Sequence, residues 1–402
     1  MSKFTGVVSV LAFVSILLIF RSSAVDDPVN GGHVNSFRVA LSGVPHVVPI
    51  SLKMTCAIQN NSANGKELVP DAPFRALRLM DNRILIFAED SNNMPYTTVN
   101  FKRVVQTLCH SLLKWPKSRS VFDFSDFKWI VSPYTLNGRD IFALVHNEYH
   151  GWKYLSKCRM RAVTEMRAPN SVCTYDNISG VWSTNYGKLF KASGNRESLI
   201  ARFPYNFNDN MNIIGVRDPT NIILSPIDGK FYFMARVDHY LRQPAGECLF
   251  RNSKLGVRGW RAWNGKSFSI NMRALVVDKS ARAICAPVIG IFISSIVYSI
   301  NNHTFLGVGM GPFGAKYATS PNLISWSMPR VFMRGERPGM WQPNYAREPP
   351  SAYYSVIDPS SKSRNFDTIG RHPYLYYVRY GVNAKHIEWS DRQLMRVRLQ
   401  IH

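Results

Sequence analysis

Carboxyl side chains recur in short settings that suit acid–base chemistry: Asp71-Ala72-Pro73, Arg217-Asp218-Pro219 and Glu247-Cys248. A carboxyl held protonated can deliver a proton, while an ionised one attacks or activates water. A third nearby can hold the acid's pKa up by like-charge repulsion. Asp71, Asp218 and Glu247 are therefore candidate catalytic residues. The segment His146-Asn147-Glu148-Tyr149-His150-Gly151 adds Glu148, a carboxylate between two imidazoles. Strand alternation puts His146, Glu148 and His150 on one face, where Glu148 serves as acid or base and a histidine assists.

Two histidines and a carboxylate are also ordinary metal ligands, and a satisfied polar network at a strand end would look the same. The assignment made here is acid–base work and substrate binding, with no metal and no cofactor expected. His146, Asn147, His150 and Asn221 are candidate substrate-binding residues. Arg75 and Arg217 join them, since paired guanidinium groups could grip a carboxylated or phosphorylated ligand bidentately. Trp152 and Trp263 are candidate stacking platforms, or packing residues between sheets.

The elements that must position these groups read as strands. Turn signals precede short apolar runs five times: Asp81-Asn82-Arg83 before Ile84 to Ala88, Asn137 to Asp140 before Ile141 to Val145, and Asp228-Gly229-Lys230 before Phe231 to Ala235. Asn301-Asn302-His303 precedes Thr304 to Gly309, and His372-Pro373 precedes Tyr374 to Tyr380. Asn, Asp and Gly tolerate the positive φ of tight hairpins, and the runs that follow have strand propensity. The spacing of roughly 60 to 90 residues is a loose period for four-stranded units with long loops. The expected fold is all-β, a five-bladed β-propeller. A β-sandwich would also give many short strands. Helical spacing is seen from Thr98 to Leu113, where Thr98 could cap a loop helix.

The chain begins with Lys3, an apolar stretch from Val7 to Phe20, and Ser22-Ser23-Ala24. That order predicts a signal peptide over residues 1–24, cleaved after Ala24, and a secreted or periplasmic product. Residues 25–402 are expected to form one domain, because no polar Pro/Gly/Ser-rich break marks a linker. Pro287 to Ile300 is the most apolar later stretch and reads as buried strand. Six cysteines, without a CxxC pair, suit disulfides in an exported protein, with connectivity open. Hydrophobic residues make up 46%, which excludes a disordered chain.

The net charge of +23 demands an anionic partner or a solvated basic surface. No basic run with interleaved aromatics stands out, so nucleic acid is not expected. A cell-envelope polymer or acidic polysaccharide fits better, met by a monomer without stable membrane insertion once the signal is removed. Sequons occur at Asn60, Asn177 and Asn302.

Together, these motifs and Tyr317 to Trp326 resemble the five-bladed β-propeller glycosidases of the invertase and arabinanase type. In that family a first-blade aspartate is nucleophile or base, an Arg-Asp-Pro aspartate orients the sugar, and a Glu-Cys glutamate donates the proton. The resemblance implies those roles for Asp71, Asp218 and Glu247. Asp71-Ala72-Pro73 departs from the family's Asn-Asp-Pro-Asn-Gly. Arg75 and Arg217 also resemble part of the arginine cluster of sialidases, without the full triad.

The chain is more closely similar to a group of exported bacterial glycosidase-like proteins of unassigned function, through Pro70 to Ala76, Leu144 to Gly151, Pro219 to Ile222, Trp260 to Gly265 and Ser363 to Gly370. The implied function is glycoside hydrolysis by paired carboxylates at the propeller axis. The alternatives are a carbohydrate-binding propeller that does not cut its ligand, and a structural or toxin-like protein acting through its positive field.

Overall fold

Each of the five turn-plus-strand runs becomes the second strand of an antiparallel meander. The computed structural model describes residues 37–51, 70–88, 93, 95–98, 100–106, 110–115, 126–165, 172–194, 196–273, 283–335, 350–382 and 387–402. The expected signal peptide, Cys56, Cys109 and the sequon at Asn60 lie outside them. Residues 37–402 form one compact unit.

In chain order, β1 (Val39–Val47) and β2 (Ile50–Ser51) precede the first meander: β3 (Arg75–Arg78), β4 (Ile84–Phe87), β5 (Tyr96–Thr98) and β6 (Val104–Gln106), with β2 parallel to β6. After β7 (Leu113–Lys114), the second contains β8 (Phe127–Thr135), β9 (Ile141–His150), β10 (Thr174–Ser183), β11 (Phe190–Lys191) and β12 (Leu199–Arg202). Two helices, α1 (Gly151–Tyr154) and α2 (Ser156–Thr164), connect β9 to β10.

The third meander is β13 (Ile213–Arg217), β14 (Ile223–Leu224), β15 (Phe231–Val237), β16 (Gly246–Asn252), β17 (Arg261–Trp263) and β18 (Phe268–Ile270). The fourth is β19 (Phe292–Ser299), β20 (Thr304–Gly311), β21 (Gly314–Ser320) and β22 (Arg330–Arg334). The last joins β23 (Ser351–Ile357), β25 (Tyr374–Val382) and β26 (Ile387–Ile401) to β1, while β24 (Thr368–Ile369) adds to β19. The start of the described chain thus completes the sheet that its end begins.

Hydrogen bonding among the described residues fuses the second and third meanders into one 12-stranded sheet, giving four sheets where sequence spacing suggested five. The cause is β13, which pairs parallel with β10 and antiparallel with β15.

The second strands are apolar on both faces because each is packed between two neighbours. On β9, Ile141, Ala143 and Val145 face Leu77 and Phe87 of the first meander, while Phe142 and Leu144 face Val216 and Phe233 of the third. On β15, Phe231 and Phe233 join that core, and Tyr232 and Met234 face Ile293 and Phe305 of the fourth. Leu306 and Val308 pack on Tyr354 and Leu375, and Tyr376 closes onto Phe74 and Ile86. The cores run first to second, second to third, and onward until the fifth meets the first.

The first strands are stitched together by side chains. Arg75, on β3, donates to the carbonyls of Val131 and Ser294 and to the Ser355 hydroxyl. Val131 and Ser294 sit where the β8 and β19 registers slip by one residue, and Ser355 borders a slip in β23. A bulge leaves a backbone group outside the ladder. Arg75 serves those groups, and Asn221 makes a reciprocal pair with the backbone of Ile296 at 2.8 and 2.9 Å.

The helix expected from Thr98 is absent among the described residues. Thr98 ends β5, accepting from the Phe101 amide and donating to the Arg103 carbonyl, and so closes a turn into β6. Its local hydroxyl bonds favour the turn over a helical start. Pro287 to Ile300 contains the buried strand β19, and no helix among the described residues is long and apolar enough to cross a membrane. Disulfides join Cys158 to Cys173 and Cys248 to Cys285. Trp263 packs with Phe268 at 5.0 Å between centroids, a packing role.

Candidate functional site

Strand β9 continues past Val145 through His150, paired with β10 throughout and with β8 as far as Glu148. Alternation turns His146, Glu148 and His150 to one side. Asp176 on β10 stands directly opposite Glu148, and Gly215 on β13 stands opposite Asp176. A Cβ at Gly215 would lie 2.5 Å from the Asp176 Cβ, so only glycine leaves that aspartate its place. Asp218 follows β13 with φ 50°, a left-handed conformation that turns its side chain back toward β9.

These groups border a cavity of about 190 Å3 lined by Asp71, Trp129, Val131, His146, Glu148, Asp218, Phe292, Tyr353 and Arg392, among others. Tyr353, with φ 57°, sits at the β23 bulge, which aims its ring into the cavity. Its hydroxyl donates to Asp71 at 3.0 Å, and Arg392 contacts the same carboxylate oxygen from β26.

His146 lies among three carboxylates. Its Nδ1 is 3.5 Å from Asp218, and its Nε2 is 3.9 Å from both Glu148 Oε1 and Asp176 Oδ2. Glu148 Oε2 is 3.0 Å from His150 Nε2. His150 Nδ1 in turn lies 3.5 Å from Asp126, which also accepts from the Tyr154 hydroxyl and the His150 amide. The chain of groups therefore runs Asp126, His150, Glu148, His146, Asp218.

Burial alone would lower both imidazole pKa values, but the surrounding carboxylates outweigh it and push each up to about 9. Burial would raise Glu148, yet His150 and His146 hold it below the usual carboxylate range. Asp176, wholly buried, is pushed up to about 6 by burial and by Glu148's charge. Burial raises Asp71 as well, against the pull of Arg392 and the Tyr353 hydroxyl.

Glu247 does not line this cavity. It faces a neighbouring hollow of about 140 Å3 bordered by Arg236, Gly246, Gly311 and by Phe292, which also borders the first. Its Oε1 accepts from the Ile293 amide at 3.3 Å, and burial pushes the carboxyl well up.

Four of the expected binding residues are committed elsewhere. Arg75 is buried with its pKa lowered to about 9 by burial, and its donors go to the first strands. Arg217 grips Asp238 through Nε and Nη2 at 3.1 and 2.8 Å. Asn147, on the opposite side of β9 from Glu148, bonds Asn177 and Ser179 at 3.0 Å. Asn221 braces the Ile296 backbone. A polar side chain beside a motif is as easily recruited to satisfy buried backbone as to meet a ligand. Trp152 lies beside His150, whereas the cavity's tryptophan is Trp129.

Sequence reasoning missed Asp126, Trp129, Asp176, Tyr353 and Arg392. Only Asp176 carried a usable signal, as the one charged residue of a strand-like run, Thr174 to Ser183, where a buried carboxylate needs a partner.

The sequence matches no family model and no curated protein. Among solved structures, the chain is similar to an N-acetylgalactosamine deacetylase from F. plautii, at 11% identity over 90% of this chain and 95% of that one, with a TM-score of 0.46. It is similar to the GH43_1 enzyme from Xanthomonas citri, solved with xylotriose, at 11% identity over 86% and 92%, TM-score 0.45. It is also similar to the α-L-arabinanase of Cellvibrio cellulosa, solved with arabinohexaose, at 10% identity over 82% and 91%, TM-score 0.41.

Proposed function

We propose that this chain is an exported glycoside hydrolase whose five meanders are the blades of a β-propeller. The closed cycle of cores supports the fold, since radial sheets packed face to face bring distant residues to one axis. The disulfides fit an oxidising compartment.

One observation carries the hydrolase reading: two carboxyl groups at a single cavity are driven in opposite directions. Glu148 is held ionised by its imidazoles, while Asp71 is pushed toward the neutral form. Glycosidic cleavage needs that division, an acid for the leaving oxygen and a carboxylate to attack or to activate water. Glu148 is the ionised partner. Asp71 is the acid at the same cavity, which reverses the role implied for Asp71 by resemblance, and Glu247 is a second carboxyl favoured neutral, in the hollow that Phe292 also borders. Asp218 orients His146. Trp129, Tyr353 and Phe292 give the cavity aromatic walls of the kind on which sugar rings stack.

The test is a screen of neutral and acidic glycans for released sugar, comparing the native chain with Asp71→Asn, Glu148→Gln and Glu247→Gln. Glu148→Gln should lower kcat by about 10²- to 10⁴-fold. The variant that lacks the true acid should keep turnover of glycosides with good leaving groups. Release unchanged in all three variants would refute the assignment. Salt-sensitive glycan binding without release from any substrate would make the protein a binding module.

A further inference from the structure

His146, Glu148 and Asp176 form a compact group of ligand atoms, all within 4.8 Å of one another, with His146 and Glu148 on the wall of the cavity and Asp176 buried behind them. Among the described residues, His146 Nε2 and both oxygens of the fully buried Asp176 have no partner within 3.5 Å, and they face each other across 3.9 Å, wider than a hydrogen bond. A buried carboxylate with two open oxygens is costly unless a cation or donor meets it. From these observations we infer that His146 Nε2, Glu148 Oε1 and Asp176 bind a divalent transition cation of the Mn2+ or Zn2+ type.

The ligand atoms stand slightly wider apart than the roughly 3.4 Å of a tetrahedral pair, so a small inward movement of the side chains would close them on an ion. Nε2 is 3.9 Å from Glu148 Oε1 and 3.9 Å from Asp176 Oδ2. One ion would then lie at roughly 2.0–2.2 Å from each atom. Imidazole favours zinc and its neighbours, and carboxylates favour manganese and harder ions, so the mixed set points to a first-row divalent cation.

The surroundings are those of orienting partners. Metal-binding histidines commonly give their other ring nitrogen to a carboxylate, and Asp218 stands 3.5 Å from His146 Nδ1. Glu148's second oxygen is held by His150, which is backed by Asp126. Gly215 keeps the Asp176 side open. Because His146 and Glu148 border the cavity, an ion between them retains free positions toward it, where a sugar hydroxyl or carboxylate could bind. The binding itself does not depend on the hydrolase reading, and it is measured without substrate.

The full chain, stripped with chelator and dialysed, is titrated with Mn2+ alone and with Zn2+ alone by calorimetry, and the Mn2+ form is examined by electron paramagnetic resonance. Expected are one ion per chain, nitrogen hyperfine coupling from one imidazole, and binding weakened by more than about 10-fold in Asp176→Asn, the scale on which even orienting partners act. The near-ultraviolet circular dichroism of the variant checks its fold. If Asp176→Asn does not fold, His146→Gln and the nitrogen coupling of the native chain decide. Absence of saturable one-to-one binding, absence of nitrogen coupling, or binding unchanged in the folded variants overturns the inference.

Discussion

Glu148 and Asp176 face each other across β9 and β10, and both carboxylates approach the same nitrogen of His146 at 3.9 Å. Two like charges so placed favour a positive imidazole between them. Replacing one by its neutral isostere should therefore show on the histidine.

In metal-free buffer, Asp176→Asn is expected to lower the His146 pKa from about 9 toward its ordinary value. The imidazole proton resonances, followed through a pH titration, measure this. An unchanged midpoint would mean that Asp176 does not sense His146.

The raised histidines also set a pH dependence of stability. A group whose folded pKa exceeds its unfolded one stabilises fully below the unfolded value, here 6.5, and loses that contribution as pH rises through about 9. With chelator present, urea unfolding should show stability falling between about pH 7 and 10. His146→Gln and His150→Gln should flatten that slope. A slope identical in both variants would place its origin elsewhere.

Arg75 is expected to matter for folding and not for ligand. Arg75→Met leaves the Val131 and Ser294 carbonyls and the Ser355 hydroxyl without their donor in the interior. At about 1–3 kcal/mol for each orphaned buried group, the loss should reach at least about 3 kcal/mol by urea denaturation. Destabilisation under about 1 kcal/mol would show that the bulged strands hold their register without it.

Glu247→Gln separates charge from shape. Because burial already favours the neutral carboxyl, the amide should cost no more at neutral pH than one unpaired buried polar group, about 1–3 kcal/mol. If Glu247 is the proton donor, the alkaline limb of the pH–rate profile moves or vanishes in this variant. An unaltered profile assigns the proton to Asp71.

Local sequence was enough to set the second strand of every meander. In those strands Asn/Asp/Gly turns precede apolar runs that alternate between two cores, as Ile141 and Phe142 do. It also determined that His146, Glu148 and His150 share a face, because neighbours two apart on a strand must. Those are local rules, needing nothing beyond a few adjacent residues.

What that face meets depended on the assembled fold. Asp176 opposes Glu148 through the register of β9 on β10, Asp126 reaches His150 from before β8, and Arg392 contacts Asp71 across a sequence separation of 321. It likewise decided that Arg75 and Asn221 brace backbone, and that Glu247 opens on the neighbouring hollow. Register and ring closure arise from the summed burial of five interfaces. No short stretch of chain encodes such a sum, which is why the carboxylates were visible one by one and their grouping was not.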